Sequence, residues 1–219
     1  MTVYRLTKKL AFPPPELADD DGLLAVGGDL SVNRLVLAYS MGIFPWSSDD
    51  TPILWWSPDP RPVIFPGRLK IPRTLRQTMK KGIFRITTNA AFEDVIRNCA
   101  TISRKGQDGT WINHDMIEAY IRLHKAGYAH SVEAWDGDEL AGGLYGIILG
   151  RAFFGESMFA KKSDASKVAF ATYALTLAEK GFELIDCQVT TAHMKRFGAV
   201  EIPREEFMNH LQKALNVEA

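Results

Sequence analysis

The chain is 219 residues long, 46% hydrophobic, and carries 26 basic and 26 acidic side chains for a formal charge of zero. That length holds one large domain or a small domain attached to a larger one, and the charge balance excludes a general nucleic-acid coat, so any polyanion site must be a local patch. Two cysteines, Cys99 and Cys187, exclude a disulfide framework and fit a reducing compartment.

The opening Met1-Thr-Val-Tyr-Arg-Leu-Thr-Lys-Lys-Leu lacks the apolar run of a signal peptide, and no apolar stretch approaches the roughly 18 residues of a membrane span. A cytoplasmic protein without membrane contact is expected. Phe12-Pro-Pro-Pro-Glu and Gly22-Leu-Leu-Ala-Val-Gly-Gly-Asp-Leu precede a short amphipathic helix predicted from Ser31 to Met41 and stopped by Gly42. Residues 42–62 then place three of the five tryptophans, Trp46, Trp55 and Trp56, in one proline-studded segment too broken for a long helix. Indole faces there either pack in a loop-rich core, since Trp is highly buried on average, or form a wall on which bases stack at about 1–3 kcal/mol each. Composition changes near residue 62. This divides the chain into a small N-terminal α+β domain, 1–62, and a larger domain, 63–219.

The larger part opens on Arg68, Lys70, Arg73, Arg76, Lys80, Lys81 and Arg85, seven cations in eighteen residues without an acidic one. A helix beginning near Pro72 and ending before Gly82 aligns Arg73, Arg76 and Lys80 on one face, either as a solvated face or as a row for a phosphate backbone. A strand at Phe84 to Thr88 and helices at Ala91 to Ala100 and Asp115 to Lys125 follow. Asp136-Gly137-Asp138 predicts a hairpin between Ala129–Trp135 and Glu139–Leu149. A strand at Arg151 to Met158, a long helix at Ser163 to Lys180, a strand at Phe182 to Val189 and short helices complete the chain. Hairpin, strand, helix, strand is the order of an α+β fold with a mixed, largely antiparallel sheet.

Two strands carry candidate chemistry. Strand periodicity over Leu184–Val189 puts Asp186 and Gln188 on one face and Ile185, Cys187 and Val189 on the other. Burying that polar pair unpartnered costs several kcal/mol, so it is either satisfied by a turn at a strand end or lines a polar cavity. In Phe153-Phe-Gly-Glu-Ser-Met, Gly155 leaves room for close approach and Glu156 suits a cation. His114, His124, His130, His193 and His210 do not cluster with one another or with cysteine, so no metal site is expected. Phosphate-loop, dinucleotide and nucleophile-elbow motifs are absent, and Cys187 is expected to face away from Asp186 and Gln188. Without a covalent nucleophile, the economical mechanism is attack by a substrate amine on an already reactive ester, with the protein supplying position.

Gly27-Gly-Asp-Leu, Gly42-Ile-Phe-Pro-Trp, Trp55-Trp-Ser-Pro-Asp-Pro-Arg, Gly109-Thr-Trp-Ile, Ala129-His-Ser-Val-Glu, Gly142-Gly-Leu-Tyr-Gly, Phe154-Gly-Glu-Ser-Met-Phe, Ala165-Ser-Lys and Leu184-Ile-Asp-Cys-Gln-Val, in that order, resemble the bacterial leucyl/phenylalanyl-tRNA–protein transferase family from Phe12 to Arg204. The resemblance implies a small N-terminal domain before an acetyltransferase-like (GNAT-like) catalytic domain. It implies transfer of Leu or Phe, with Met as a further donor, from aminoacyl-tRNA to the α-amine of proteins beginning with Arg or Lys, marking them for N-degron-dependent proteolysis. No metal or organic cofactor is implied.

By the same resemblance, Trp46 and Trp111 hold the 3′-terminal adenosine and Arg73, Arg76, Lys80 and Lys81 meet the acceptor stem. Leu144, Phe153, Phe170, Tyr173, Leu177 and Ile185 line or flank the aminoacyl pocket. Gln188 bonds the amine or ester, Asp186 polarises that arrangement or draws off a proton, and Glu156 attracts the acceptor's cationic end or fixes Gln188. Tyr173 departs from the apolar Phe often found at its position. The chain also stops at Ala219 without the longer tail of some members, and activity is expected to survive this. A monomer is expected in the absence of a heptad pattern. Two other readings are an acetyl-coenzyme A acyltransferase and a non-catalytic RNA-binding module. The first needs a Gln/Arg-x-x-Gly-x-Gly/Ala loop that Met158 to Ser166 lacks, and the second has no use for Asp186 and Gln188.

Overall fold

A computed structural model describes residues 3–46, 51–102 and 112–216. Four short strands, β1 (Tyr4–Leu6), β2 (Leu23–Gly27), β3 (Phe44–Pro45) and β4 (Leu54–Trp56), form a sheet in the order β1-β2-β4-β3, parallel between β1 and β2 and antiparallel elsewhere. Helix α1 (Val32–Ser40) links β2 to β3. Ser31 starts it by accepting the Arg34 backbone N–H at 3.4 Å, and Leu35, Ala38 and Tyr39 recur at helical spacing on its buried face. Gly42 follows the helix at φ 69°, where a Cβ would stand 2.7 Å from the Phe207 ring.

The tryptophan segment divides between its two possible uses. Trp55 is fully buried, edge-on to Phe12 at 4.8 Å, and donates its Nε1–H to the Gly27 carbonyl. Trp56 donates to the Trp46 carbonyl, while Trp46 itself is 37% exposed.

Seven strands make the second sheet: β5 (Arg61–Ile64), β6 (Arg85–Thr88), β7 (Ala129–Asp136), β8 (Glu139–Leu149), β9 (Ala152–Ala160), β10 (Leu184–Asp186) and β11 (Val200–Ile202). They lie in the order β11-β5-β10-β9-β8-β7-β6, with β9 and β10 parallel and the other pairs antiparallel. The helices are α2 (Arg73–Lys80), α3 (Phe92–Thr101), α4 (His114–Lys125), α5 (Ala165–Glu179), α6 (Ala192–Arg196) and α7 (Arg204–Leu215). This is the expected α+β fold with a mixed, largely antiparallel sheet.

Alternate residues of the central strands enter opposite cores, as a period of two requires. Leu144, Phe153 and Ile185 join Leu75 of α2 and the apolar residues of α5. Tyr145, Phe154 and Leu184 join α1, α3, α4, α7 and the four-stranded sheet.

The strand predicted over Phe182–Val189 is shorter than expected, ending at Asp186. The Cys187 N–H still donates to the Pro62 carbonyl at 3.0 Å, but Gln188 has φ 60° and its backbone N–H donates to Asp186 Oδ1 at 2.9 Å, so from Gln188 onward a side chain-to-backbone turn replaces pairing. The expected alternation of Asp186 and Gln188 against Cys187 therefore fails. Beyond it, the chain ends in a five-residue α6 and a twelve-residue α7.

Candidate active site

A pocket of about 330 Å³ lies between the β8–β9 pair, the turn after β10, and α5. Leu144, Phe153, Met158, Phe170 and Ile185 give it apolar walls. Glu156, Asp186, Cys187 and Gln188 border it, and Trp46 and His193 are also in its lining.

A β-bulge builds the polar end. Tyr145 pairs with Ser157 and Gly146 with Gly155, which leaves Glu156 without a ladder partner and re-aims its side chain. Gly146 makes room for this: a Cβ there would run into the Phe154 carbonyl oxygen and stand 2.5 Å from the Phe153 ring. Tyr39 donates to Glu156 Oε1 at 2.7 Å, Tyr120 to Oε2 at 3.0 Å, and Gln188 Nε2 to Oε1 at 2.6 Å. Burial pushes the Glu156 carboxyl from an ordinary 4.5 up to about 7, against the downward pull of those three donors. The Tyr39 and Tyr120 hydroxyls also touch each other. With the carboxylate ionised, both hydroxyls donate to it and their mutual contact has no proton; protonation at Oε2 supplies the third proton of the ring.

Asp186 is committed inside the protein. Arg61 Nε and Nη2 donate to its two oxygens at 2.8 and 2.7 Å, and both residues are fully buried. The Arg61 guanidinium also lies over the rings of Phe44 and Phe207 at 4.8 and 4.7 Å. Asp186 thereby fixes the turn that presents Gln188. Cys187 borders the pocket instead of facing away from it, because the turn ends strand alternation. Burial pushes its thiol well up, so it stays protonated and is a poor nucleophile.

Among the aminoacyl-pocket candidates, Leu144, Phe153, Phe170 and Ile185 line the cavity. Leu177 is buried in the same core without lining it. Tyr173 meets Phe153 edge-on at 5.3 Å and borders a separate groove of about 480 Å³ with Thr87, Asn89 and His130. These two stand behind the pocket rather than in its wall. Trp46 lines the pocket, whereas Trp111 lies outside the described residues. Arg73, Arg76, Lys80 and Lys81 are exposed, and among the described residues none pairs with a carboxylate. No group of three His, Cys, Asp or Glu suited to a metal ion occurs among the described residues.

Sequence reasoning missed Arg61, Tyr39 and Tyr120. Arg61 closes the Trp55-Trp-Ser-Pro-Asp-Pro-Arg motif and stands next to Pro62 in an apolar strand, a position where an arginine needs a buried acid. The two tyrosines are indistinguishable from core aromatics until the fold brings α1 and α4 to the bulge.

A family model described as leucyl/phenylalanyl-tRNA protein transferase matches residues 63–212, and one described as its N-terminal domain matches 28–59. A leucyl/phenylalanyl-tRNA–protein transferase of Anaeromyxobacter sp. (strain Fw109-5) is 60% identical over 216 residues, covering 99% of this chain and 92% of that protein. One from Syntrophobacter fumaroxidans is 59% identical over 211 residues, covering 96% and 90%. Among solved structures, L-PGS from Bacillus licheniformis covers 90% of this chain and 74% of its own at 8% identity, with a TM-score of 0.41, too loose a likeness to carry a fold assignment. No described helix is long and apolar enough to cross a membrane.

Proposed function

The chain belongs to the leucyl/phenylalanyl-tRNA protein transferase family and is an aminoacyltransferase, and from that premise we propose that it moves Leu or Phe, with Met as a third donor, from aminoacyl-tRNA to the α-amine of proteins beginning with Arg or Lys. The product is a protein marked for N-degron-dependent proteolysis in the cytoplasm. The observation that carries this reading is an apolar cavity of about 330 Å³ bordered by the Glu156–Gln188 hydrogen bond. Leu144, Phe153, Met158, Phe170 and Ile185 offer a Leu or Phe side chain about 1.5–3 kcal/mol of burial. Shape then disfavours β-branched donors, though one misplaced methyl is worth only about 1–3 kcal/mol.

In the reaction a neutral acceptor amine attacks the ester carbonyl. The N–C bond forms, the C–O bond to the terminal ribose breaks, and the amine proton ends on the departing ribose oxygen. Gln188 gives its N–H to Glu156, which leaves its carbonyl oxygen to accept from the amine and orient the lone pair. Asp186 acts through the turn it anchors, and its bonds to Arg61 argue against a role as proton acceptor. Glu156 supplies negative charge toward the acceptor's cationic end as it ionises near neutrality. Positioning of this kind accounts for about 7–11 kcal/mol of barrier in favourable cases.

Trp46, with Trp111, stacks the 3′ adenine, and Arg73, Arg76, Lys80 and Lys81 follow the acceptor-stem phosphates. We read 63–219 as an acetyltransferase-like unit behind a small domain, 1–62. The β7-β8-β9 meander, followed by α5 and a β10 that returns parallel to β9, supports that reading. The molecule acts as a monomer.

Charging one tRNA body with Leu, Phe, Val or Ile and measuring label in an Arg-initiated peptide tests the pocket. Leu and Phe should transfer at least about tenfold faster than Val and Ile. Equal rates for all four would rule out this cavity as the donor site.

A further inference from the structure

Glu156, Asp186 and Gln188 are all hydrogen-bonded within the protein, but another polar group in the pocket lining is left over. His193 Nε2 is buried and has no hydrogen-bond partner among the described residues. Thr191 caps α6 by accepting the Met194 N–H at 3.1 Å, which places residue 193 in the first turn of the helix. The imidazole is held edge-on against Phe197 at 5.2 Å, and Phe197 in turn packs on the pocket wall at Phe170, 4.8 Å away. The side chain as a whole is half-buried, yet its Nε2 is covered, and a covered nitrogen left unpaired costs folding free energy, so a ligand atom is its natural partner. Burial, then the charges of Lys167 and Arg196, lower its proton affinity, so it acts as a neutral hydrogen-bonding group.

Those two cations indicate what the ligand carries. Lys167 also pairs with Asp164 at 2.7 Å, whereas Arg196 stands three residues after His193 on α6, on the same side of the helix, and is exposed. A neutral hydrogen-bonding nitrogen inside an aminoacyl pocket, with positive charge beside it, suits a ribose followed by a phosphodiester. We propose that His193 Nε2 bonds the ribose of the donor's 3′-terminal nucleotide while Arg196, with Lys167, receives the phosphate on its 5′ side. This subsite rests on the function proposed above.

The test is steady-state transfer by wild type, His193→Ala, His193→Gln and Arg196→Ala. His193→Ala should raise KM for aminoacyl-tRNA about tenfold with KM for the peptide unchanged, and His193→Gln, which restores an amide near the same point, should recover most of the loss. Arg196→Ala should raise that KM at about 50 mM salt but not at about 500 mM, and leave KM for a phosphate-free aminoacyl-nucleoside donor unchanged. Unchanged KM in both alanine variants of an active enzyme would overturn the subsite and leave the function standing. Equal losses in His193→Ala and His193→Gln, with lowered melting temperatures, would overturn it in favour of a packing role. A wild type that transfers nothing from any aminoacyl-tRNA would refute the function, and the subsite with it.

Discussion

Glu156 occupies the extra position of a bulge, where no cross-strand partner constrains it and three donors converge on its carboxyl. Its folded-state pKa is raised from 4.5 to about 7 mainly by burial, so between those values the folded state binds more protons than the unfolded one. The stability this confers is fully present below pH 4.5 and is lost as the pH rises through 7. Glu156→Gln should therefore flatten the fall in melting temperature between about pH 5 and 8 that wild type shows; parallel profiles would contradict the assignment. Gly146→Ala tests the same bulge from its partner strand. The added methyl meets the Phe154 backbone carbonyl as well as the Phe153 ring, so strand and side chain must both shift, and a loss of at least about 1–3 kcal/mol in urea unfolding is expected, together with slower transfer. At this scale Glu156 was legible because a carboxylate after glycine amid aromatics has few reasons to exist. Its tyrosine partners were not, since each comes from a helix distant in sequence.

Among the elements, α2 is the plainest to read and β10 the most deceptive. The cations of α2 recur at helical spacing around a single buried residue, Leu75, and the helix forms where the pattern places it. Arg73→Glu with Arg76→Glu should weaken tRNA binding at least about tenfold at low salt, with a shallower salt dependence and an unchanged melting temperature, measured by filter binding across a salt series. An unaltered salt slope would show that this face is merely solvated. For β10, the alternation rule supplied a sensible face assignment that one side-chain hydrogen bond defeats. Asp186 accepts the Gln188 N–H, the backbone turns at a positive φ, and Cys187 comes to the pocket. Period-two reasoning has no means of detecting such a stop, because Asp186 is as compatible with a strand end as with a strand middle.

Across the whole molecule, Arg61 ties the parts together. It leaves β5 of the large sheet, meets Phe44 of the small sheet and Phe207 of the last helix, and holds Asp186 at the site. Removing one member of such a buried pair leaves the other charge uncompensated. Arg61→Ala should cost about 3–5 kcal/mol in urea unfolding and slow transfer by loosening Gln188, whereas a loss below about 1 kcal/mol would contradict the anchor. The α+β class, the hairpin and the long helix α5 were legible from local pattern and turn chemistry. The convergence of α1, α4 and β5 on one bulge was not, since it depends on pairing between distant segments. On the proposed function, this convergence serves aminoacyl transfer. That role is tested most directly by incubating wild type and Gln188→Ala with radiolabelled Leu-tRNA and a peptide beginning with Arg or with Ala, and measuring label in peptide. Label is expected in the Arg peptide alone, with a Gln188→Ala enzyme that binds the charged tRNA as tightly but transfers at least about tenfold more slowly. Tight binding of charged tRNA without transfer by wild type, or equal transfer by wild type and variant, would contradict it.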